Sequence, residues 1–131
     1  MSTFSHLAMA KTVAANPNIE VKKRLFGLFS HVVYKPTRST VMAHRYEYTA
    51  EEGERLKGLL DAKGEVLEQK LKALEPLHHV DLGNIELQTC YSVDHRFAAL
   101  QLMNYKDLCY VPVTDVHVFE GREAQLIIDL L

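Results

Sequence analysis

The spacing of apolar residues changes near Leu77, and this change constrains the fold more than any other feature of the chain. Before Leu77 the apolar residues mostly recur with the helical period of about 3.6, whereas beyond it they recur every second residue, as in a strand. Helices and strands in separate blocks favour an α+β fold, with helices packed on a mainly antiparallel sheet. The chain has 131 residues and no internal repeat or linker, so we expect a single α+β domain over residues 1–131.

The first third of the chain is predicted to contain two helices. Residues 3–15 form an Ala-rich helical stretch that ends before Pro17. In residues 20–34 the apolar positions fall on one continuous helical face, which favours a second helix. The alternative is a β-hairpin in which residues 29–34 pair with residues 40–48, because both segments are rich in β-branched and aromatic residues. The helix is the preferred interpretation.

One long central helix is predicted over residues 50–75. Thr49 and Glu52 have the spacing of a capping box, in which each side chain accepts a hydrogen bond from the other residue's backbone amide. Pro76 ends the pattern. Gly64 disfavours a continuous helix by about 1 kcal/mol relative to alanine, so a break at residues 61–64 is the alternative.

Four or five strands are expected to form the sheet. The candidates are residues 40–48, 85–93, 97–103 and 110–119, with residues 122–131 undecided between strand and helix. Pro112 places its strand at an edge or a bulge. The order of elements resembles, at the level of topology alone, cone-shaped folds of the nuclear-transport-factor-2 type. That resemblance implies a curved sheet around a pocket and assigns no residue a role.

Charge is divided sharply along the chain. Residues 1–46 contain seven basic residues and one acidic residue, a net charge of +6, whereas residues 47–131 carry −8. This asymmetry favours a non-enzymatic binding or regulatory module that forms a homodimer and uses the basic surface of residues 1–46 for an acidic partner. The candidate partner-binding residues are Lys22, Lys23, Arg24, Lys35, Arg38 and Arg45.

Two other functions are compatible with the sequence. In the first, His44, Asp115 and His117 line a pocket on the concave face of the sheet and serve a small-ligand binder or an enzyme. In the second, the basic cluster at Lys22 lies beside Phe26 and could bind nucleic acid through phosphate contacts and base stacking. The small-ligand pocket is the favoured of these two.

The sequence contains no motif of metal binding, nucleotide binding or covalent catalysis. We therefore expect no cofactor and no metal. No apolar run approaches the roughly 20 residues that cross a bilayer, and the N-terminus lacks the pattern of a signal peptide. A cytoplasmic protein with no membrane partner is expected, in which Cys90 and Cys109 stay reduced.

Overall fold

A computed structural model describes residues 7–23, 30–60, 62, 64–73 and 83–131. Within these residues there are four helices and seven strands, and their order confirms the α+β class. The number of strands exceeds the expected four or five. The elements are α1 (Ala10–Ala14), β1 (Ile19–Lys23), β2 (Ser30–Tyr34), β3 (Ser39–Tyr48), α2 (Ala50–Leu60), α3 (Gly64–Ala73), β4 (Ile85–Ser92), β5 (Phe97–Lys106), β6 (Cys109–Pro112), β7 (His117–Glu120) and α4 (Arg122–Leu130).

The strands form one curled antiparallel sheet. Its order is β1-β2-β3-β4-β5-β6, and β7 also pairs with β5. Strands β6 and β7 pair with the same side of the long strand β5: Phe97–Leu100 pairs with β7, and Met103–Lys106 pairs with β6. As predicted, β5 is a central strand whose side chains from Phe97 to Met103 are all buried. Strand β5 therefore runs through the centre of the core.

Helices α2, α3 and α4 cover one face of the sheet. Leu87 and Leu100 from the strands meet Leu56, Leu67 and Ile127 from the helices in the larger hydrophobic cluster. Each of these side chains is almost completely buried. Burying a leucine of this kind contributes about 1.5 to 3 kcal/mol, so this cluster is the main source of stability.

The opposite face of the sheet is covered by the N-terminal segment and by the β1–β2 hairpin. Val13 of α1 and Val32 of β2 pack with Cys90 and Phe97 in a second cluster. The ring centroids of Tyr34 and Phe97 are 5.3 Å apart. The hairpin therefore folds back over the sheet, which gives the sheet its curl.

The predicted second helix is wrong where the structure describes it, because residues 19–23 and 30–34 are strands. The hairpin alternative is confirmed, since Val33 pairs with Thr40 and Tyr34 with Ser39 across the turn at residues 35–38. A helix would also satisfy the backbone hydrogen bonds of these residues, so the difference lies in tertiary contacts, since Val32 and Tyr34 of β2 pack in the second cluster. Tertiary contacts thus override a local pattern that fits both structures. Residues 24–29 lie outside the described part.

The long central helix is divided, as its glycine suggested. Helix α2 ends at Leu60, Ala62 is not helical, and α3 begins at Gly64. One half of the capping box is present, because the Glu52 amide donates to Thr49 Oγ1 at 3.3 Å. Pro76 lies outside the described residues. A division of this kind lets two short helices follow the curvature of the sheet, which one straight helix over residues 50–75 would not.

The end of the chain departs from the predicted strands in two respects. The segment 110–119 is not one strand, because β6 ends at Pro112 and β7 begins at His117. Pro112 therefore closes an edge strand, as expected of a residue that lacks a backbone donor. The undecided segment 122–131 is the helix α4. Among the described residues, no helix is long and apolar enough to cross a membrane.

Candidate partner-binding site

The outer surface of the β1–β2 hairpin has the composition of a binding site. Ile19 and Tyr34, which pair across the two strands, point into the second cluster. Side chains of a strand alternate between its two faces, so Glu20, Lys22 and their partners on β2 point outward. Lys22 pairs with His31, and Glu20 pairs with Val33. The hairpin therefore separates an apolar inner face from a charged outer face.

These outward side chains surround a concavity of about 550 Å³. Lys22, Lys35 and Arg38 are exposed, whereas His31 is half-buried. We call this surface the basic hairpin face; its lining residues are Glu20, Lys22, His31, Val33, Lys35 and Arg38. Three permanent cations and one imidazole thus face one space, with a single carboxylate among them.

The turn that carries Lys35 and Arg38 is fixed by its backbone. The Arg38 amide donates to the Lys35 carbonyl at 3.3 Å, and Arg38 adopts a left-handed conformation with φ of 56°. The Lys35 amide donates to the carbonyl of Asn18 at 2.8 Å, which joins the turn to the start of β1. The two cations are therefore held at defined positions on a tight turn.

Asp94, in the turn between β4 and β5, anchors the same region from the other side. Its amide donates to Ser39 Oγ at 3.1 Å, and its carboxylate accepts from Ser92 Oγ at 2.6 Å. Desolvation opposes ionisation, but hydrogen bonds from Ser92, Thr37, the Arg96 amide and Ser39 outweigh it and lower the pKa of Asp94. A charged Asp94 therefore braces the turn beneath the basic hairpin face.

The cations of this face share one concavity and have no ion pair in the described part of the chain. Among the described residues, no ion pair includes Lys22, Lys35 or Arg38. Several scattered lysines are also without an ion pair there, whereas Arg45 pairs with Glu86, Arg55 with Glu52, and Lys72 and Arg122 with Glu68. The positive charge of the basic hairpin face is left to attract anions from outside the chain.

The structure brings together three of the six predicted partner-binding residues. Lys22, Lys35 and Arg38 share the concavity, whereas Arg45 lies on β3 with its Nε 3.9 Å from the buried carboxylate of Glu86. The side chain of Lys23 and the whole of Arg24 lie outside the described part of the chain. Sequence reasoning missed His31, because its place beside Lys22 follows only from the hairpin that was not preferred.

The residues of the alternative pocket do not converge. Asp115 and His117 line a cavity of about 360 Å³, and His117 also lines a neighbouring cavity of about 400 Å³. His44 is in register with Thr89, then Leu100, then His117, so it lies on the same row of the sheet three strand spacings away, roughly 14 Å. Its ring packs on Tyr46 at 4.4 Å between centroids.

Within the described residues, no three histidine, cysteine or acidic side chains form a group that could hold a metal ion. His79 and Asp81, whose spacing also fits a metal ligand pair, lie outside those residues.

Comparison with known proteins gives no match: no family model, no curated protein and no solved structure is similar to this chain. The cone-shaped fold suggested by the order of elements is thus not identified by any of the three comparisons.

Proposed function

We propose that this protein is a non-enzymatic binding module whose basic hairpin face binds an acidic segment of a partner protein. The observation that carries the proposal is the convergence of Lys22, Lys35 and Arg38 on one concavity with no carboxylate of the described chain paired to them. Carboxylates of a partner would supply the missing counter-charges.

The chemistry of the face suits carboxylates. Lys22 and Lys35 offer three donors each, and the guanidinium of Arg38 forms bidentate hydrogen bonds with a carboxylate. Exposed pairs of this kind contribute about 0.2 to 1 kcal/mol each, so three of them contribute about 0.6 to 3 kcal/mol and give association that is weak and sensitive to salt. Such a surface increases the association rate and selects a partner by charge.

Two features of the face favour an acidic protein over a nucleic acid. Among the described residues that line the concavity, the only ring is the imidazole of His31, and none is a phenylalanine, tyrosine or tryptophan on which single-stranded bases commonly stack. Glu20 lies among the cations; it repels phosphates and carboxylates alike, but a peptide can offer it a basic or polar residue, which a nucleic-acid backbone cannot. Val33 offers an apolar contact in the same space.

The proposal is tested with a fluorescent peptide of ten glutamates and fluorescence anisotropy. One variant carries Lys22→Gln, Lys35→Gln and Arg38→Gln; the matched control carries Lys11→Gln, Lys70→Gln and Lys106→Gln, which removes three exposed charges elsewhere. We expect the dissociation constant to rise more than tenfold in the first variant and less than threefold in the control. Equal losses in both variants would mean that net charge alone governs binding.

The same assay separates the protein partner from a nucleic acid. A single-stranded DNA of ten nucleotides carries a charge similar to that of the peptide. We expect it to bind more weakly, because none of the described lining residues is a phenylalanine, tyrosine or tryptophan on which its bases could stack. Tighter binding of the DNA, lost in the same triple variant, would replace this proposal with nucleic-acid binding.

A second candidate function is the binding of a small polar ligand beside His117. The supporting observation is that His117 lines two cavities, one that it shares with Lys57 and Asp115 and one that it shares with Glu123. A ligand screen by nuclear magnetic resonance tests it. Shifts of the His117 ring that disappear in His117→Asn would support the candidate, and shifts confined to other sites would exclude it.

A further inference from the structure

Strand β1 ends the sheet with an open edge. The strand order begins at β1, and in the described part of the chain only β2 pairs with it. The Lys35 amide donates to the Asn18 carbonyl, so Asn18 and Lys35 form a hydrogen-bonded pair of the antiparallel ladder. Backbone groups alternate in direction along such a ladder. The amides and carbonyls of Glu20 and Lys22 therefore face β2, whereas those of Ile19, Val21 and Lys23 point away from it.

The outward backbone groups of β1 form a pattern that is complementary to itself. The Ile19 amide is already used, since it donates to the Asn16 carbonyl at 3.0 Å. The Ile19 carbonyl, both groups of Val21 and the Lys23 amide are left for a partner. When a second copy of β1 runs antiparallel with its Val21 opposite this Val21, each of these donors faces an acceptor of the other copy.

We propose that two copies of the chain associate through β1, paired antiparallel with Val21 opposite the partner's Val21. The two valines exchange a pair of N–H to C=O hydrogen bonds. Each Lys23 amide donates to the carbonyl of the partner's Ile19, which brings the total to four. The two sheets become one continuous sheet across a two-fold axis at Val21, and the contact is isologous, as in most homodimers.

Side-chain charge supports this register over its neighbours. With Val21 at the axis, Glu20 lies opposite the partner's Lys22, and Lys22 lies opposite the partner's Glu20. These are non-hydrogen-bonded pairs, in which Cα atoms approach to about 4.5 Å and opposite charges attract. A shift by one step in either direction sets Lys22 against the partner's Lys22 or Glu20 against the partner's Glu20. In both shifted registers, like charges therefore lie opposite each other and repel.

The other edge of the sheet is less suited to pairing. Strand β6 has only four residues, and Pro112 lacks the amide that an added strand would use. The strand β1 instead presents Val21 between two residues of opposite charge. Of the two strands that end the order, β1 and β6, β1 therefore fits a second copy of this chain better.

The dimer shares Lys22 with the proposed function and would set two basic hairpin faces side by side. A two-fold axis perpendicular to a continuous sheet keeps the same face of both copies on one side. Binding of an acidic peptide and formation of the dimer are measured separately, so failure of one proposal leaves the other standing.

The first experiment measures molar mass by light scattering on the full chain, with Val21→Pro as the variant. Proline at position 21 removes an outward amide that the chain's own ladder does not use, so the fold should tolerate it at this edge. We expect a dimer for the unmodified chain and a monomer for Val21→Pro. A monomeric unmodified chain, or a dimer that Val21→Pro leaves intact, would overturn the proposal.

The second experiment uses charge exchange, which avoids proline. Glu20→Lys and Lys22→Glu each create two like-charged pairs across the axis, and we expect either change to raise the dimer dissociation constant about tenfold. Mixing the two variants, or combining both changes in one chain, restores opposite charges and should restore the dimer. If the mixture dissociates as readily as its components, the proposed register is wrong.

Discussion

The Tyr34 hydroxyl donates to Glu120 Oε1 at 2.9 Å and so connects β2 to β7, two strands 86 residues apart. Asn18 Nδ2 donates to the same oxygen at 2.8 Å. In the sheet itself β2 and β7 are separated by β3, β4 and β5. This contact therefore joins two distant parts of the curled sheet and fixes the hairpin that carries the basic face.

Tyr34→Phe should lower the free energy of unfolding by about 1 kcal/mol, because it removes one hydrogen bond while leaving the ring in place against Phe97. Chemical denaturation at neutral pH measures the change. Tyr105→Phe is the control, since that tyrosine is exposed on β5. An equal effect of the two substitutions would show that the bond to Glu120 contributes nothing.

The same tyrosine makes stability depend on alkaline pH. Burial, with the hydrogen bond and charge of Glu120, raises the pKa of Tyr34 from 10.0 to about 12. Because the folded state keeps the proton longer, the stability that Tyr34 contributes is complete below about pH 10 and is lost as the pH rises toward 12. Melting temperatures from pH 8 to 11.5 should fall less steeply for Tyr34→Phe than for the unmodified chain. Parallel slopes would contradict the assignment.

Gly83 and Gly58 should respond to alanine in opposite directions. A methyl group at Gly83 would collide with the backbone of Tyr48, so Gly83→Ala should destabilise the protein by about 1 to 3 kcal/mol. At Gly58, on the exposed side of α2, no atom lies within 4 Å of the added carbon. Gly58→Ala should therefore stabilise the helix by about 0.5 to 1 kcal/mol. Thermal unfolding of both variants checks the pair, and equal signs would refute it.

Asp94→Ala should loosen the turn that presents Lys35 and Arg38. Loss of the hydrogen bonds to the carboxylate lowers stability by about 1 kcal/mol and weakens binding of the acidic peptide. The pKa of Asp94 is lowered below its ordinary 3.8, so its contribution is present above about pH 4 and is lost as the pH falls through the lower folded value.

Asp94→Asn is the matched control, because its amide oxygen still accepts hydrogen bonds from Ser92 and from the Arg96 amide. We expect it to retain more of the binding than Asp94→Ala, while its stability should vary less below pH 4 than that of the unmodified chain. Denaturation at pH 3 and at pH 7, combined with peptide anisotropy, measures both effects. If Asp94→Ala bound the acidic peptide with unchanged affinity, the Asp94 carboxylate would not be needed to position Lys35 and Arg38.

The two cysteines are free thiols that should differ in reactivity. Cys90 is fully buried, and burial raises its pKa to about 12, whereas Cys109 is exposed on β6. At pH 8 a thiol reagent should label Cys109 at once and Cys90 only after unfolding, because the thiolate is the reactive species. Cys109→Ser should abolish the fast reaction. Rapid labelling of two thiols in the native protein would contradict this packing.

The sequence predicted the structure correctly where a single period of apolar residues was clear. The alternation from Ile85 to Ser92 predicted a strand, and the apolar run from Phe97 to Met103 predicted a central one, since burial on both faces requires apolar side chains throughout. Gly64 and the capping pair Thr49 and Glu52 marked real helix boundaries for local reasons. These features depend on neighbouring residues alone, so they can be recognised before any tertiary contact is known.

Residues 20–34 show where local pattern was insufficient. Their apolar positions fit a helical face, and the described parts of the segment are strands because β3 supplies pairing partners and Phe97 receives Tyr34. Charge at Lys22, Lys35 and Arg38 was evident in the sequence, but its convergence with His31 exists only in the hairpin. Composition and periodicity therefore determined the α+β class and the presence of a basic surface. Tertiary structure decided which cations share that surface, because strand pairing over long sequence separations has no local signal.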